Sequence, residues 1–132
     1  MDIYYKRKCL AEYAIKRGYR VNYYIPNIYC NWGNYCWLES NSININQLTN
    51  KNDVYDFTHE IGHIIVWELL DKFYKRKDKF KFVRKHKILN EALAWLIGIV
   101  LAIRFKIFSF CYVKRCYKCL KSYFKKRVKK HD

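Results

Sequence analysis

The stretch "DFTHEIGHIIVWE", Asp56 to Glu68, is a largely apolar run that contains two histidines four residues apart. Polar turn residues precede it, and Asn52 or Asp53 can cap a helix that runs from about residue 54 to about residue 74. Positions four apart on a helix lie one turn above each other on the same face. The stretch therefore predicts a long core helix that carries both histidines side by side.

His59, Glu60 and His63 form the pattern HExxH, which is typical of zinc hydrolases. Two imidazole nitrogens on one helix face can bind a single Zn²⁺ ion at about 2.0–2.1 Å. The intervening glutamate then lies beside the ion and can act as a general base toward water without being a ligand. The pattern predicts a metal site with His59 and His63 as ligands and Glu60 as the catalytic residue.

A catalytic zinc site needs a third protein ligand and one open position. The longer motif HExxHxxGxxH is excluded, because Val66 and Leu69 stand where its glycine and third histidine would be. Glu91 lies at the start of a strongly apolar segment, where an unpaired carboxylate would be costly to bury. His86, among lysines and arginines, is the other candidate for the third ligand.

The segments before the motif predict a helix followed by short strands. A first helix is expected over Asp2–Arg17, with Gly18 where it ends. Alternating apolar residues predict strands within "YRVNYYI", "NYCWLES" and "SININ", and in the last of these Ile43 and Ile45 share one face. Together these segments predict a small antiparallel sheet.

The segments after the motif predict further helices. Residues 71–87 are densely basic and read as a helix end plus an exposed connection, and a second core helix is expected over about 88–103. Residues 111–130 have the spacing of a basic amphipathic helix. The prediction is one α+β domain over residues 1–132, with the antiparallel sheet packed against the HExxH helix and the second core helix.

Composition supports a folded chain with a strong positive charge. Of the 132 residues, 52% are hydrophobic, and 27 Lys and Arg outnumber 11 Asp and Glu, for a net charge of +16. This charge favours nucleic acid or acidic partners. The N-terminus does not resemble a secretory signal and the longest apolar run is too short for a membrane span, so a cytoplasmic protein with reduced cysteines is expected. A membrane-associated peptidase is the less favoured alternative, because charged side chains such as Arg104 and Lys106 can snorkel to a membrane surface.

Four segments, "LAEYAIKRGYRV", "SININ", "FTHEIGH" and "NEALAWLIG", together resemble the ImmA/IrrE family of zinc-metallopeptidase-like proteins. The resemblance covers about residues 3–103. It implies a minimal zincin-like metallopeptidase domain in which His59, His63 and Glu91 bind Zn²⁺ and Glu60 activates water. It also implies a protein substrate, namely a DNA-binding helix-turn-helix repressor of a mobile element or stress regulon.

Two other interpretations remain open from the residues alone. The chain could be a non-catalytic basic module that binds nucleic acid or an acidic partner, with structural histidines. Cys111, Cys116 and Cys119 could suggest metal or redox chemistry, but cysteines at this spacing more often form a small-residue core stripe.

Overall fold

The computed structural model describes residues 2–24, 35–37, 41–46 and 50–131. In these ranges the chain forms five helices and three short strands, which confirms the predicted α+β class. The elements in chain order are α1 (Ile3–Lys16), β1 (Arg20–Tyr24), β2 (Tyr35–Trp37), β3 (Ser42–Asn46), α2 (Lys51–Leu70), α3 (Arg76–Lys85), α4 (Lys87–Arg104) and α5 (Phe110–His131).

The sheet has the strand order β1-β3-β2 and is mixed, so the predicted antiparallel sheet is wrong for one of its two strand pairs. β3 pairs with β1 in parallel, with Val21 opposite Ile43, and with β2 in the antiparallel direction. Alternation of apolar residues shows which side chains share a face but not which strand is the neighbour or how it runs. The shared face itself is confirmed, because Ile43 and Ile45 are both fully buried.

α1 forms and ends as its sequence predicts. The Asp2 carboxylate accepts a hydrogen bond from the Tyr5 backbone N–H at 3.1 Å, which caps the first turn. Gly18 follows the last turn with φ of +88°, a conformation that glycine adopts without steric cost. The face bearing Leu10 and Ala14 is fully buried and packs toward α2.

The motif helix α2 begins three residues before the predicted start. Its cap is Asn50 rather than Asn52 or Asp53, and Asn50 and Asp53 form a reciprocal capping box at 3.0 and 3.1 Å. α2 is the central element, because it packs most extensively on α4 and also contacts α1, α5, β2 and β3. Most of its residues from Asp53 to Trp67 are therefore buried.

Residues 71–87 were predicted to be a helix end plus an exposed connection, but they contain the helix α3. Most residues of α3 are exposed, as predicted. Lysines occur on both the buried and the exposed side of α3, so its sequence shows no clear helical period. Phe80 packs on Trp67 with ring centroids 4.7 Å apart, and the ammonium of buried Lys79 lies 3.9 Å from the Trp67 ring centroid while it pairs with Asp71. These contacts attach α3 to the end of α2.

Two further helices follow. α4 covers the second predicted core helix, and α5 covers the predicted amphipathic helix over 111–130. No helix within the described ranges has by itself both the length and the apolar character needed to cross a membrane, and α3 and α4 meet those requirements only when joined across a bend of 98°.

Candidate metal centre

The predicted helix face brings His59 and His63 together in the core. Their Nε2 atoms lie 3.2 Å apart, and each side chain is at most 10% exposed. The buried hydroxyl of Thr58, the residue before His59, donates a hydrogen bond to the Val54 carbonyl at 2.8 Å and so does not compete for the histidines. Both imidazoles therefore point from α2 toward one point between helices.

Glu91, near the start of α4, lies next to both histidine rings. Its Oε2 atom lies 2.9 Å from His59 Nε2 and 3.1 Å from His63 Nε2. An ion with tetrahedral bonds of about 2.0–2.1 Å would hold its donors roughly 3.3 Å apart, so the three atoms need to separate by only a few tenths of an ångström. The group could hold a metal ion, and two imidazoles with one carboxylate form a donor set that suits zinc and several other divalent metals.

The charges within the group favour an ionised carboxylate. Burial by itself would raise the pKa of Glu91, but its hydrogen bonds with His59 and His63 lower that pKa far below the ordinary range. Burial lowers the pKa of His59. Burial also opposes a charge on His63, but the contact with Glu91 and the charges of Glu60 and Glu91 together raise its pKa. An anionic ligand is thus present between two imidazoles, as cation binding requires.

Two neighbouring residues, Asn90 and Trp95, contact the histidine rings and orient them. The Asn90 side-chain nitrogen Nδ2 lies 3.4 Å from His63 Nδ1. With the amide turned by 180°, its oxygen would occupy this position and accept the Nδ1 proton while Nε2 serves as the metal-binding atom. Trp95 stacks on His59 with ring centroids 4.2 Å apart and an angle of 17°. His59 Nδ1 has no hydrogen-bond partner among the described residues, so at that side of the ring stacking on Trp95 takes the place of a hydrogen bond.

Glycine at two positions permits the close helix packing that builds the group. A Cβ atom on Gly62 would lie 2.2 Å from the Ala94 carbonyl oxygen, and one on Gly98 would lie 2.3 Å from the Tyr112 hydroxyl. α2 and α4 therefore approach backbone to backbone one residue before His63. This approach lets the short carboxylate side chain of Glu91 reach both imidazoles.

We expect Gly62→Ala to destabilise the fold by about 1–3 kcal/mol, because the new methyl group would force α4 away from α2. At an open helix position the same substitution would stabilise the protein by about 1 kcal/mol. Urea unfolding in the presence of a chelator measures the effect without a contribution from metal. A midpoint above that of the native chain would contradict the packing argument.

Glu60 lies beside the group and lines a cleft of about 220 Å³. His59 and Trp95 form part of the same cleft wall. Glu60 is 8% exposed and does not belong to the three-residue group, as expected for a base that acts next to a metal. Of the residues predicted from the motif, His59 and Glu60 thus line this cleft, and His63 contacts His59 behind it.

α5 forms the other side of the cleft, which the sequence did not indicate. Arg115 donates two hydrogen bonds to the Asp56 carboxylate at 3.0 and 2.8 Å and so holds α5 against α2. Tyr123 also lines the cleft, and burial together with the charges of Glu91 and Glu60 raises its pKa. Its phenol therefore keeps its proton at neutral pH and can donate a hydrogen bond toward the site.

The remaining candidates lie apart from the group. His86 stands at the junction of α3 and α4, where its ring packs on Phe82 at 4.8 Å. Cys116 and Cys119 are partly buried against the core, as the core-stripe interpretation predicts, and Cys119 also lines the cleft, whereas Cys111 is exposed and does not belong to such a stripe. Burial raises the pKa of the Cys116 and Cys119 thiols. In the described part of the chain, neither His86 nor any cysteine joins a group that could hold a metal.

Comparisons of this chain with protein-family models, with curated proteins and with solved structures each find no match. The fold and the site by themselves define the protein as an α+β protein with a buried His-His-Glu group that could hold a metal ion.

Proposed function

We propose that this chain is a zinc-dependent metallopeptidase with a minimal zincin-like fold, in which His59, His63 and Glu91 bind the ion. The observation that carries this proposal is the convergence of their three donor atoms within 3.2 Å of one another in the core. Two histidines and a carboxylate with unrelated roles would have no reason to bring their donor atoms to one point between two helices. HExxH adds a glutamate in the position of a general base.

Zinc held at this group would supply a Lewis acid that lowers the pKa of a water molecule and polarises a peptide carbonyl. Glu60 accepts the proton from the attacking water on a side-chain oxygen and then passes it to the leaving nitrogen. Its place in the cleft wall next to His59 gives it access to both. Trp95 and Asn90 keep the two imidazole rings in place during these steps.

The substrate that we propose is a protein. The cleft is partly open to solvent, and one wall carries the paired charges of Asp56 and Arg115, which can contact peptide groups. The resemblance to the ImmA/IrrE family supports a helix-turn-helix repressor of a mobile element or stress regulon as the protein that is cut. A net charge of +16 would bring the enzyme to such a repressor on its DNA.

Removal of the metal tests the proposal. The full chain is incubated with a proteome-derived peptide library, and new N-termini are counted by mass spectrometry. We expect cleavage to stop when a chelator is present and to return when zinc is added, because Glu60 without the metal faces a water whose pKa is too high for it to be deprotonated efficiently. Cleavage that continues in chelator would contradict a metal mechanism.

The alternative, a non-catalytic basic module, rests on the net charge. It predicts binding to nonspecific DNA that weakens steeply with salt, and no metal uptake. A DNA titration at two salt concentrations, with and without chelator, separates the two functions. Binding that falls with salt in a protein that takes up no zinc would favour the basic module.

A further inference from the structure

The face of α4 that points away from the metal centre is apolar and exposed. Leu89, Leu96, Val100 and Ile103 lie at helical spacing on this face, and each is about half exposed or more. The opposite face carries Asn90, Ala94, Trp95, Gly98, Leu101 and Ala102, all of which are buried. No charged residue lies on α4 between Glu91 and Arg104, so the exposed stripe is uninterrupted along three turns.

A second exposed stripe runs along α5. It consists of Phe110, Val113, Tyr117 and Phe124, whose spacing of three, four and seven residues places them on one side of the helix. The cleft-lining and core-packing residues of α5 occupy a different side. Large apolar side chains are therefore exposed on α4, which carries Glu91, and on α5.

Lysines border the α5 stripe. Lys114, Lys118, Lys121 and Lys125 are exposed and lie on the adjoining side, since each residue advances about 100° around the helix. The ammonium of Lys114 lies 5.0 Å from the Phe110 ring centroid, and that of Lys121 lies 5.8 Å from the Tyr117 ring centroid. An aromatic stripe beside a lysine stripe is the pattern of a helix that lies in the surface of a bilayer.

The two stripes meet at the junction between the helices. Ile103 at the end of α4, Phe108 in the connection and Phe110 at the start of α5 are all exposed. Only five residues connect the helices, so these three side chains lie at the same end of the molecule. We define the docking face as the exposed stripes of α4 and α5 together with Phe108.

Charge distinguishes between the partners that could cover this face. A second copy of the chain would place lysines against lysines in a protein whose net charge is already +16. Nucleic acid would satisfy the lysines but leave the aliphatic stripe of α4 in water. An anionic bilayer offers phosphate groups to the lysines and hydrocarbon to the apolar stripes.

We propose that the docking face binds the surface of an anionic lipid bilayer. That no single helix in the described ranges could cross a membrane does not oppose this, because a helix that lies on the surface needs an apolar face and not a long apolar run. The docking face contains none of the metal ligands, so this inference does not depend on the proposed peptidase activity. The sequence favoured a cytoplasmic protein and left membrane association as the weaker alternative, since hydropathy alone does not show that the outer face of α4 is exposed.

Vesicle flotation tests the proposal with the full chain. The native chain should float with vesicles of equimolar phosphatidylcholine and phosphatidylglycerol and stay behind with pure phosphatidylcholine. The double substitution Leu96→Gln and Val100→Gln should weaken partition at least about tenfold, because it removes apolar area that the bilayer would bury. Ile15→Gln on α1 is the matched control, since Ile15 and Leu96 are both 58% exposed, and it should leave partition unchanged.

A second variant tests the charge. Lys118→Gln combined with Lys121→Gln should reduce binding to the anionic vesicles and make the remainder less sensitive to salt. Neither variant alters a buried residue, and thermal unfolding verifies that both fold like the native chain.

Three outcomes would overturn the proposal: no flotation with anionic vesicles, flotation that the α4 double variant does not weaken, or self-association in solution that this variant abolishes. The last would mean that a second copy covers the face. Glu60→Gln should bind vesicles like the native chain, so a failed peptidase assay and a failed flotation assay remain distinguishable.

Discussion

Glu60→Gln is expected to lower peptide-bond hydrolysis by roughly 10²–10⁴-fold while zinc stays bound. The amide keeps the shape of the side chain but cannot accept a proton from water. The carboxylate lines the cleft beside His59 and lies outside the group that would hold the ion. Appearance of new N-termini in the peptide library measures the rate, and elemental mass spectrometry measures the zinc.

Glu68→Gln is the matched control, because it makes the same change on the same helix. Glu68 pairs with Arg17 at the surface and lies outside the cleft, so its variant should cleave at the native rate. Native activity in Glu60→Gln would remove this residue from the mechanism. Loss of zinc together with activity would instead assign Glu60 to the ligand set.

Glu91→Ala is expected to weaken zinc binding more than about 100-fold. Partners outside the ligand set commonly change metal affinity 10–100-fold, and Glu91 is the single carboxylate in the proposed set. The variant would also leave His59 and His63 without the charge that faces both rings. Competition with a chromogenic chelator measures the affinity.

Glu12→Ala on α1 serves as the control, since Glu12 is exposed and should leave zinc affinity unchanged. Native affinity in Glu91→Ala would exclude Glu91 as the third ligand. If His86→Ala then lost zinc, His86 would be that ligand, although its ring packs on Phe82 away from the group.

The helices were predictable because their signals are local. The HExxH stretch, the apolar run after Glu91 and the Asp2 and Gly18 signals each define a helix within a few residues. The pairing of the strands was not predictable from the sequence, because the parallel pair of β1 and β3 joins strands that are not consecutive in the chain. α3 was missed because its many lysines hid its helical period, and because its packing on Trp67 is a contact with another helix that the sequence does not show.

In the candidate site, too, the sequence predicts the local part but not the contacts between distant segments. The spacing of His59 and His63 already places two imidazoles together, whereas the arrival of Glu91 depends on the close approach of α2 and α4 at Gly62. The side chain of Tyr123 enters the cleft only because α5 packs back over α2. Such contacts between distant segments leave no periodic signal in a single sequence.

The most direct test of the metal centre is the metal content of the full chain, purified without chelator and measured by elemental mass spectrometry. We expect about one zinc ion per chain, held by two histidines and one glutamate. Folded protein that contains no metal and takes up none from added zinc would contradict the metal centre, and the proposed peptidase activity with it.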